Sequence, residues 1–467
     1  MKFRMFATTL LLVLSTVAVA QKTAKNPVPW VNQPLVPEAA VPGGHGFTLK
    51  VNGAGFVPSS VVRWNGKPRA TKFLSTLQLS ATILRSDIQK RGTAYVTVVN
   101  PRPGGGTSSV VLFDITKPAS SVTMQGSQIG EGDYLDSIAT ADFNHDEKPD
   151  LAVAHYDAGA VGVLLGNGDG TFKPDVSYPV GSSPESVTVG DFNRDGHLDL
   201  AVANGAANTV SILLGNGDGT FRSHVDYATG NSPFSVAVGD FNRDGNLDLV
   251  VVNELDSTVS ILLGNGDGTF RRHVDYATGN IPLSVAVGVF NQENRLGLAV
   301  VNSNSDTVSI LMGNGDGTFE RHVDYAAGHY PDSVAVADFN RDGKMDLVVA
   351  NGARSGNVSV LLGNGDGSFR TRVQYGAGFG PYSVTTGDAN GDGKLDLLVA
   401  NYGGTVSVLL GNGDGTFRNQ LAFRTGGDAS AVVAADFNRD GRLDCATANL
   451  DAVSVLLQQR SQSGRAK

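Results

Sequence analysis

A repeat of about 49 residues constrains this chain more than any other feature. An acidic motif, D-x-N-x-D-G-x-x-D or a variant of it, starts at residues 142, 191, 240, 289, 338, 388 and 436, at intervals of 49, 49, 49, 49, 50 and 48. A second motif, GNGDGTF or GNGDGSF, follows each of the first six copies. Fixed-period self-similarity of this length points to a propeller or a solenoid.

Each unit reads as four strands. In unit three they are SVAVGDF (235–241), LDLVVVN (247–253), TVSILLG (258–264) and FRRHVDYATG (270–279). The first alternates Val with Ala and Gly, small enough for a crowded innermost strand. The second is nearly all apolar, as in a strand covered on both faces. The Asn-Gly and Asp-Gly pairs between the third and fourth supply the positive φ angles of tight hairpins. Calcium-binding β-helices also carry such sequences, but with a period of about nine residues.

The seventh copy stops after its third strand, VSVLLQQ (453–459). SSVTMQGSQIG (120–130) stands before the first copy, where a fourth strand would lie. The expectation is that it completes the last unit and closes a ring, which removes exposed sheet edges. The predicted fold is all-β: a seven-bladed β-propeller of four-stranded blades over 117–459, after a small Ig-like β-sandwich over 37–116.

The acidic motif places side-chain oxygens at positions 1, 3, 5 and 9. With the backbone carbonyl of position 7 they supply most of the six to eight oxygens that Ca²⁺ takes. Glycine at position 6 permits the sharp bend. An EF-hand would need a bidentate Glu at position 12, where unit two has Val202 inside a strand. The bland alternative is a solvated Asx-turn, and repetition of the full set argues against it.

These motifs resemble FG-GAP/VCBS repeats, the blades of integrin α-subunit propellers and of many secreted bacterial proteins. The resemblance implies a seven-bladed propeller with Ca²⁺ between first and second strands. The ligands it implies are Asp191, Asn193, Asp195 and Asp199; Asp240, Asn242, Asp244 and Asp248; Asp338, Asn340, Asp342 and Asp346; Asp388, Asn390, Asp392 and Asp396; Asp436, Asn438, Asp440 and Asp444. Unit one keeps Asp142, Asn144, Asp146 and Asp150 but has Glu147 for the glycine. Unit four has Val289 at position 1 and Gly297 at position 9, and no ion is expected there. Five or six Ca²⁺ are therefore expected.

Residues 1–20 carry Lys2 and Arg4, an apolar stretch and Ala18-Val19-Ala20, the pattern of a cleaved secretory signal. The expected location is secreted, periplasmic or cell-surface, with no membrane span in the mature chain. Residues 21–36 read as a linker and 460–467 as a polar tail. The stretch FTLKVNGAGFVPSSVVRWNG (47–66) resembles IPT/TIG immunoglobulin-like domains, and Trp64 reads as core. Cys445 is the only cysteine, so an intrachain disulfide is impossible. It reads as a small buried apolar residue.

Net charge is −9, which disfavours a nucleic-acid partner. Chain direction puts the acidic loops and GNGDGT hairpins at one end of the ring. The links between second and third strands, and between blades, fall at the other end, and these vary: NGAANT, NELDST, NSNSDT, NGARSGN, NYGGT. Varied loops on a rigid scaffold carry binding specificity. Tyr330, Phe379, Tyr382 and Tyr402 lie there as candidates to stack on a sugar or anchor a protein. The expected function is an extracellular binding or cell-adhesion module for a glycan or protein. The alternative is a carbohydrate-active enzyme, a polysaccharide lyase or glycosidase, using loop carboxylates such as Glu254 and Asp256. No nucleophile motif or zinc spacing supports catalysis. His224, His273 and His322 share one repeat position and read as structural.

Overall fold

The computed structural model describes residues 26–37, 39–108, 110–130, 134–352 and 356–459. The signal-peptide and polar-tail readings lie outside these residues. Among the described residues nearly all regular structure is strand, with one short 3-10 turn at Arg85–Ile88.

Seven antiparallel sheets of four strands follow the repeat. In unit two the strands are Pro184–Gly190, Asp199–Asn204, Thr209–Leu213 and Val225–Ala228. The second strand is buried at every position because neighbouring sheets cover both its faces. The first strand ends at the residue before the acidic motif, one or two residues earlier than the sequence pattern indicates.

Unit seven borrows its outer strand. Met124–Ile129 pairs antiparallel with Val453–Gln458, with Met124 opposite Gln458 and Ile129 opposite Val453. The sheet order is 124–129, 453–458, 444–449, 429–435. The displaced N-terminal strand thus covers the edge that the truncated seventh copy leaves open.

Three kinds of contact join successive sheets, and each also joins unit seven to unit one. First strands pack on first strands, including Ala429–Ala435 on Leu135–Ala141. In every unit but the sixth, which has Ala389 there, the phenylalanine at position 2 of the acidic loop meets the hairpin phenylalanine of the next unit edge to face: Phe143 with Phe221 at 5.5 Å, and Phe437 with Phe172 at 5.7 Å. The same loop residue accepts a hydrogen bond from a hairpin glycine of the next unit, as in Gly219 N to Phe143 O (3.2 Å) and Gly170 N to Phe437 O (3.1 Å). Aromatic pairs of this geometry contribute about 0.5–1.5 kcal/mol each beyond their area burial. The arrangement is consistent with a β-propeller.

The N-terminal part forms two sheets around one core that includes Trp64, Phe56 and Phe113. The linker reading of 21–36 needs correction at residues 30–36, while 21–25 lie outside the described residues. Trp30–Val36 is a strand paired with Phe47–Ala54. It becomes a strand because Val31 and Leu35 enter the N-terminal core, while Trp30 packs against the cores of units one to three. Ala54 and Leu77 are buried among residues of units two and three. Thr93 donates to Asp436, Tyr95 meets Arg439, and Ala119 N donates to Asn390 O at 2.7 Å. This part therefore sits on the acidic-loop end of the sheets.

The borrowed strand gives a direct test. Met124 is buried against Leu456 and Cys445, whereas the adjacent Gln125 is exposed. Met124→Asp buries a charge, so calorimetry should show the melting temperature falling by several degrees, with Gln125→Asp nearly neutral. Equal melting of the two variants would contradict the pairing.

Candidate functional site: acidic loops and the opposite mouth

The acidic loops share one hydrogen-bond plan. In unit two, Asp191 accepts from Asp195 N (3.2 Å) and Gly196 N (3.0 Å), and Asn193 accepts from Asp195 N at 2.9 Å. Asp195 accepts from His197 N at 2.9 Å. Oxygens of positions 1, 3 and 5 are thus gathered around one tight turn. Gly196 takes φ 90°, where a side chain is strained. In unit one Glu147 follows the same path at φ 65°.

Position 9 does something the sequence does not announce. Asp199 is fully buried, and each oxygen takes a backbone amide: Phe192 N at 2.8 Å and Gly215 N at 2.8 Å. It therefore clasps the acidic loop to the start of the following hairpin. Asp150, Asp248, Asp346, Asp396 and Asp444 repeat the clasp. Unit four, with Gly297 there, lacks it.

Donor chemistry fits a hard cation: carboxylates and amide oxygens crowd one turn and raise each other's proton affinity. Burial, foremost, pushes Asp191 up to about 6 and Asp199 to about 8, against the opposition of backbone amides; the neighbouring loop aspartates add to the rise. Asp248 is pushed to about 7 and Asp444 to about 8 for the same first reason. Convergence is less complete. Among the described residues no three carboxylate, imidazole or thiol groups gather at one point.

Unit four has lost the acids for a different neighbourhood. Val289, Asn291 and Leu296 line a cavity of about 820 Å³ together with Leu77, Lys50 and Asn52 of the N-terminal part.

At the opposite end the structure adds residues that sequence reasoning missed. Each first strand begins with a register shift that leaves one residue unpaired, between Pro184 and Ser186 in unit two and at the matching place in the other six. Such bulges re-aim a side chain. The seven unpaired residues are Asp136, Glu185, Phe234, Leu283, Asp332, Tyr382 and Ser430. The strands around them repeat closely, yet this position changes from unit to unit. The detectable signal was variation at x in P-x-S-V.

Asp136 and Glu185 share a side-chain hydrogen bond, and burial raises both carboxyls. Burial also raises Tyr382 to about 12, and Asp332, Asp136, Tyr402 and Glu185 all add to that rise. Tyr134 is raised by burial and then by Asp136, Tyr382, Glu185 and Tyr402. Units one, two, five and six therefore contribute carboxyl and phenol groups to one mouth. Tyr382 and Tyr402 lie 6.2 Å apart, tilted by 32°, and remain 37% and 45% exposed. Phe379 is exposed and packs beside Gly403 in the Tyr402 loop. Tyr330 is exposed on the link before unit five, its amide held by Asp306 at 3.0 Å.

The loop carboxylates considered for catalysis brace their links instead. Glu254 accepts from Ser232 at 2.9 Å, and Asp256 from Asn231 at 2.7 and 2.8 Å. His224, His273 and His322 each face the aspartate two residues on.

A repeat protein of four-stranded antiparallel sheets, each with an Asx-rich loop after its first strand, is the class these features define. A sequence profile of the FG-GAP-like repeat matches five times, at 142–202, 191–251, 290–349, 342–399 and 388–447, together more than half of the chain. The chain belongs to the FG-GAP-like repeat family. A search of curated proteins finds no match. Among solved structures it is similar to BBS1N in complex with ARL6DN, soaked with mercury, at 14% identity over 73% of this chain and 97% of that one, with a TM-score of 0.51. It is also similar to a functionally unknown protein from Desulfotomaculum acetoxidans, at 13% identity over 77% of this chain and 99% of that one, with a TM-score of 0.47. An auxiliary nutrient binding protein from Bacteroides ovatus shares 12% identity over 93% of this chain and 98% of that one, with a TM-score of 0.43. At these identities the likeness concerns the fold alone.

Two predictions follow from the loops. Left-handed backbone costs a non-glycine residue about 1–2 kcal/mol, so Glu147→Gly should raise the melting temperature; an unchanged or lower value contradicts the strain. The clasp aspartates have folded-state values above the ordinary carboxylate value, so the folded state holds their protons to higher pH than the unfolded chain does. Their stabilisation is full below about pH 4 and is lost as pH rises through about 6 for Asp346, about 7 for Asp150 and Asp248 and about 8 for Asp199 and Asp444. In chelator, melting temperature should fall across that window; a rise would contradict the assignment.

Proposed function

We propose that this protein is a secreted, calcium-binding seven-bladed β-propeller, preceded by an immunoglobulin-like domain. In this reading it is an extracellular binding or adhesion module for a glycan or protein ligand. The observation that carries the binding assignment is the ring of seven bulge residues. They vary on an otherwise repeated scaffold, and one of them, Tyr382, forms an exposed aromatic pair with Tyr402. An aromatic pair beside buried carboxyls offers stacking faces and hydrogen-bond acceptors to one ligand. The cycle of inter-sheet contacts supports seven blades, and the pattern of residues 1–20 supports export.

Calcium in this reading acts at the far end. Asp, Asn and Asp at positions 1, 3 and 5 of units one, two, three, five, six and seven would hold it, with position 9 as clasp and contributing oxygen. The ion would offset the repulsion among loop carboxylates, and at millimolar concentration contributes on the order of 1 kcal/mol per site.

Catalysis is the weaker reading on geometry. Glycosidase carboxyl pairs stand about 5–9.5 Å apart. Asp136 and Glu185 are within hydrogen-bonding distance of each other. Tyr134 and Tyr382 have raised proton affinities, which suits hydrogen bonding better than proton abstraction at neutral pH.

Elemental analysis after dialysis against calcium should find five or six ions per chain; zero or one would remove the metal assignment. On a glycan array and in pull-downs, Tyr382→Ala with Tyr402→Ala should weaken binding about tenfold or more with calcium content unchanged. Full binding by that variant, or turnover of a polysaccharide abolished by Glu185→Gln, would overturn the binding reading.

A further inference from the structure

Position 4 of the acidic loops has a job of its own. It sits in left-handed backbone at Arg194, Arg243, Arg341 and Arg439, and reaches out of its own loop. Arg194 donates to Asn246 Oδ1 in unit three at 2.9 Å. Arg243 donates to Asn294 O in unit four at 2.8 Å, and Arg341 donates to Gly393 O in unit six. The residue acts as a strap from one unit to the next.

Between units one and two both ends of the strap are different. Position 4 of unit one is His145, at φ 59°, and position 7 of unit two is His197. His145 Nε2 and His197 Nδ1 face each other at 3.1 Å, with ring centroids 5.4 Å apart. His145 is exposed, so the pair is open to solvent. The His197 ring lies against Gly217, where an added Cβ would come within 2.1 Å of Nδ1. The hairpin backbone therefore fixes one wall of the site.

We propose that His145 and His197 form a binding site for a borderline divalent transition ion such as Zn²⁺, bridging units one and two. Two nitrogens each about 2.0–2.1 Å from zinc are about 3.1 Å apart when the N–metal–N angle is roughly 100°. The observed spacing matches that span, and each ring would turn so that its nitrogen faces the ion and not the other ring. Imidazole nitrogens suit this class of ion, whereas the all-oxygen loops beside them suit Ca²⁺. Both rings ligate in the neutral form. The ring that carries the facing N–H moves that proton to its far nitrogen, and no net proton or electron is exchanged. Two protein ligands leave the remaining positions to water. Asp218, on the hairpin beside His197, adds favourable negative charge; its carboxyl is held low first by Thr220 and also by His197.

The site is independent of the proposed ligand face but adjoins the calcium loops, with His145 between Asn144 and Asp146 and His197 at position 7 of unit two. Titration calorimetry with Zn²⁺ on the full chain, in millimolar Ca²⁺ to fill the oxygen loops, provides the test. The expected result is a zinc site that either His145→Ala or His197→Ala weakens about tenfold or more. A double variant, His145→Arg with His197→Asn, rebuilds the Arg–Asn strap found between units two and three. It should match the parent's melting temperature without zinc and lose the zinc-induced rise that the parent shows. Absence of zinc binding by the parent, or an unchanged zinc response in the double variant, would overturn the proposal.

Discussion

Six buried aspartates hold this structure to its period. Each, at position 9 of an acidic loop, takes two backbone amides that no other group reaches: one from the loop and one from the next strand pair's hairpin or, in unit seven, from Gln458. Without that carboxyl two amides would be buried unpaired, at about 1–3 kcal/mol each. The clasp also sets the spacing from loop to hairpin. The loop phenylalanine of one unit meets the hairpin phenylalanine of the next even in unit four, where Phe290 pairs with Phe369 at 5.7 Å without a clasp, so the clasp adds to that packing and is not its cause. Polar geometry within each unit and aromatic packing between units thus act side by side.

The two ends of the ring have opposite chemistry. At one end buried acids repel each other and are organised by amides, by the N-terminal part and, in the proposed function, by calcium. At the other, one bulge per unit presents a side chain that the clasp does not constrain. Substitution at a bulge residue leaves the ladder intact, so this position can vary while the strands repeat. Asp136, Glu185, Asp332 and Tyr382 occupy it in four units and line the mouth with carboxyl and phenol groups whose proton affinity burial raises.

Much of this was legible in the sequence because it is periodic. Strand order, hairpin type, the borrowed strand at 124–129 and the anomaly of unit four all show as matches or breaks in a 49-residue pattern. What escaped was non-periodic or dual in role. Asp199 looked like an ion ligand alone, because sequence spacing cannot show that its oxygens face amides. Asp136 and Glu185 lie 49 residues apart and meet only because two bulges face one mouth. Trp30 lay in a stretch read as linker; its partners belong to a different part of the chain.

Amide hydrogen exchange at the clasped positions tests the central claim most directly, and unit four serves as the internal control. The amides to follow are those of Phe192, Gly215 and their repeat equivalents, at neutral pH, in calcium and in chelator. The account predicts that chelation lowers protection markedly in the six units that carry the buried aspartate and leaves Phe290 and Gly313 of unit four unchanged. Equal protection in all seven units, indifferent to calcium, would contradict it.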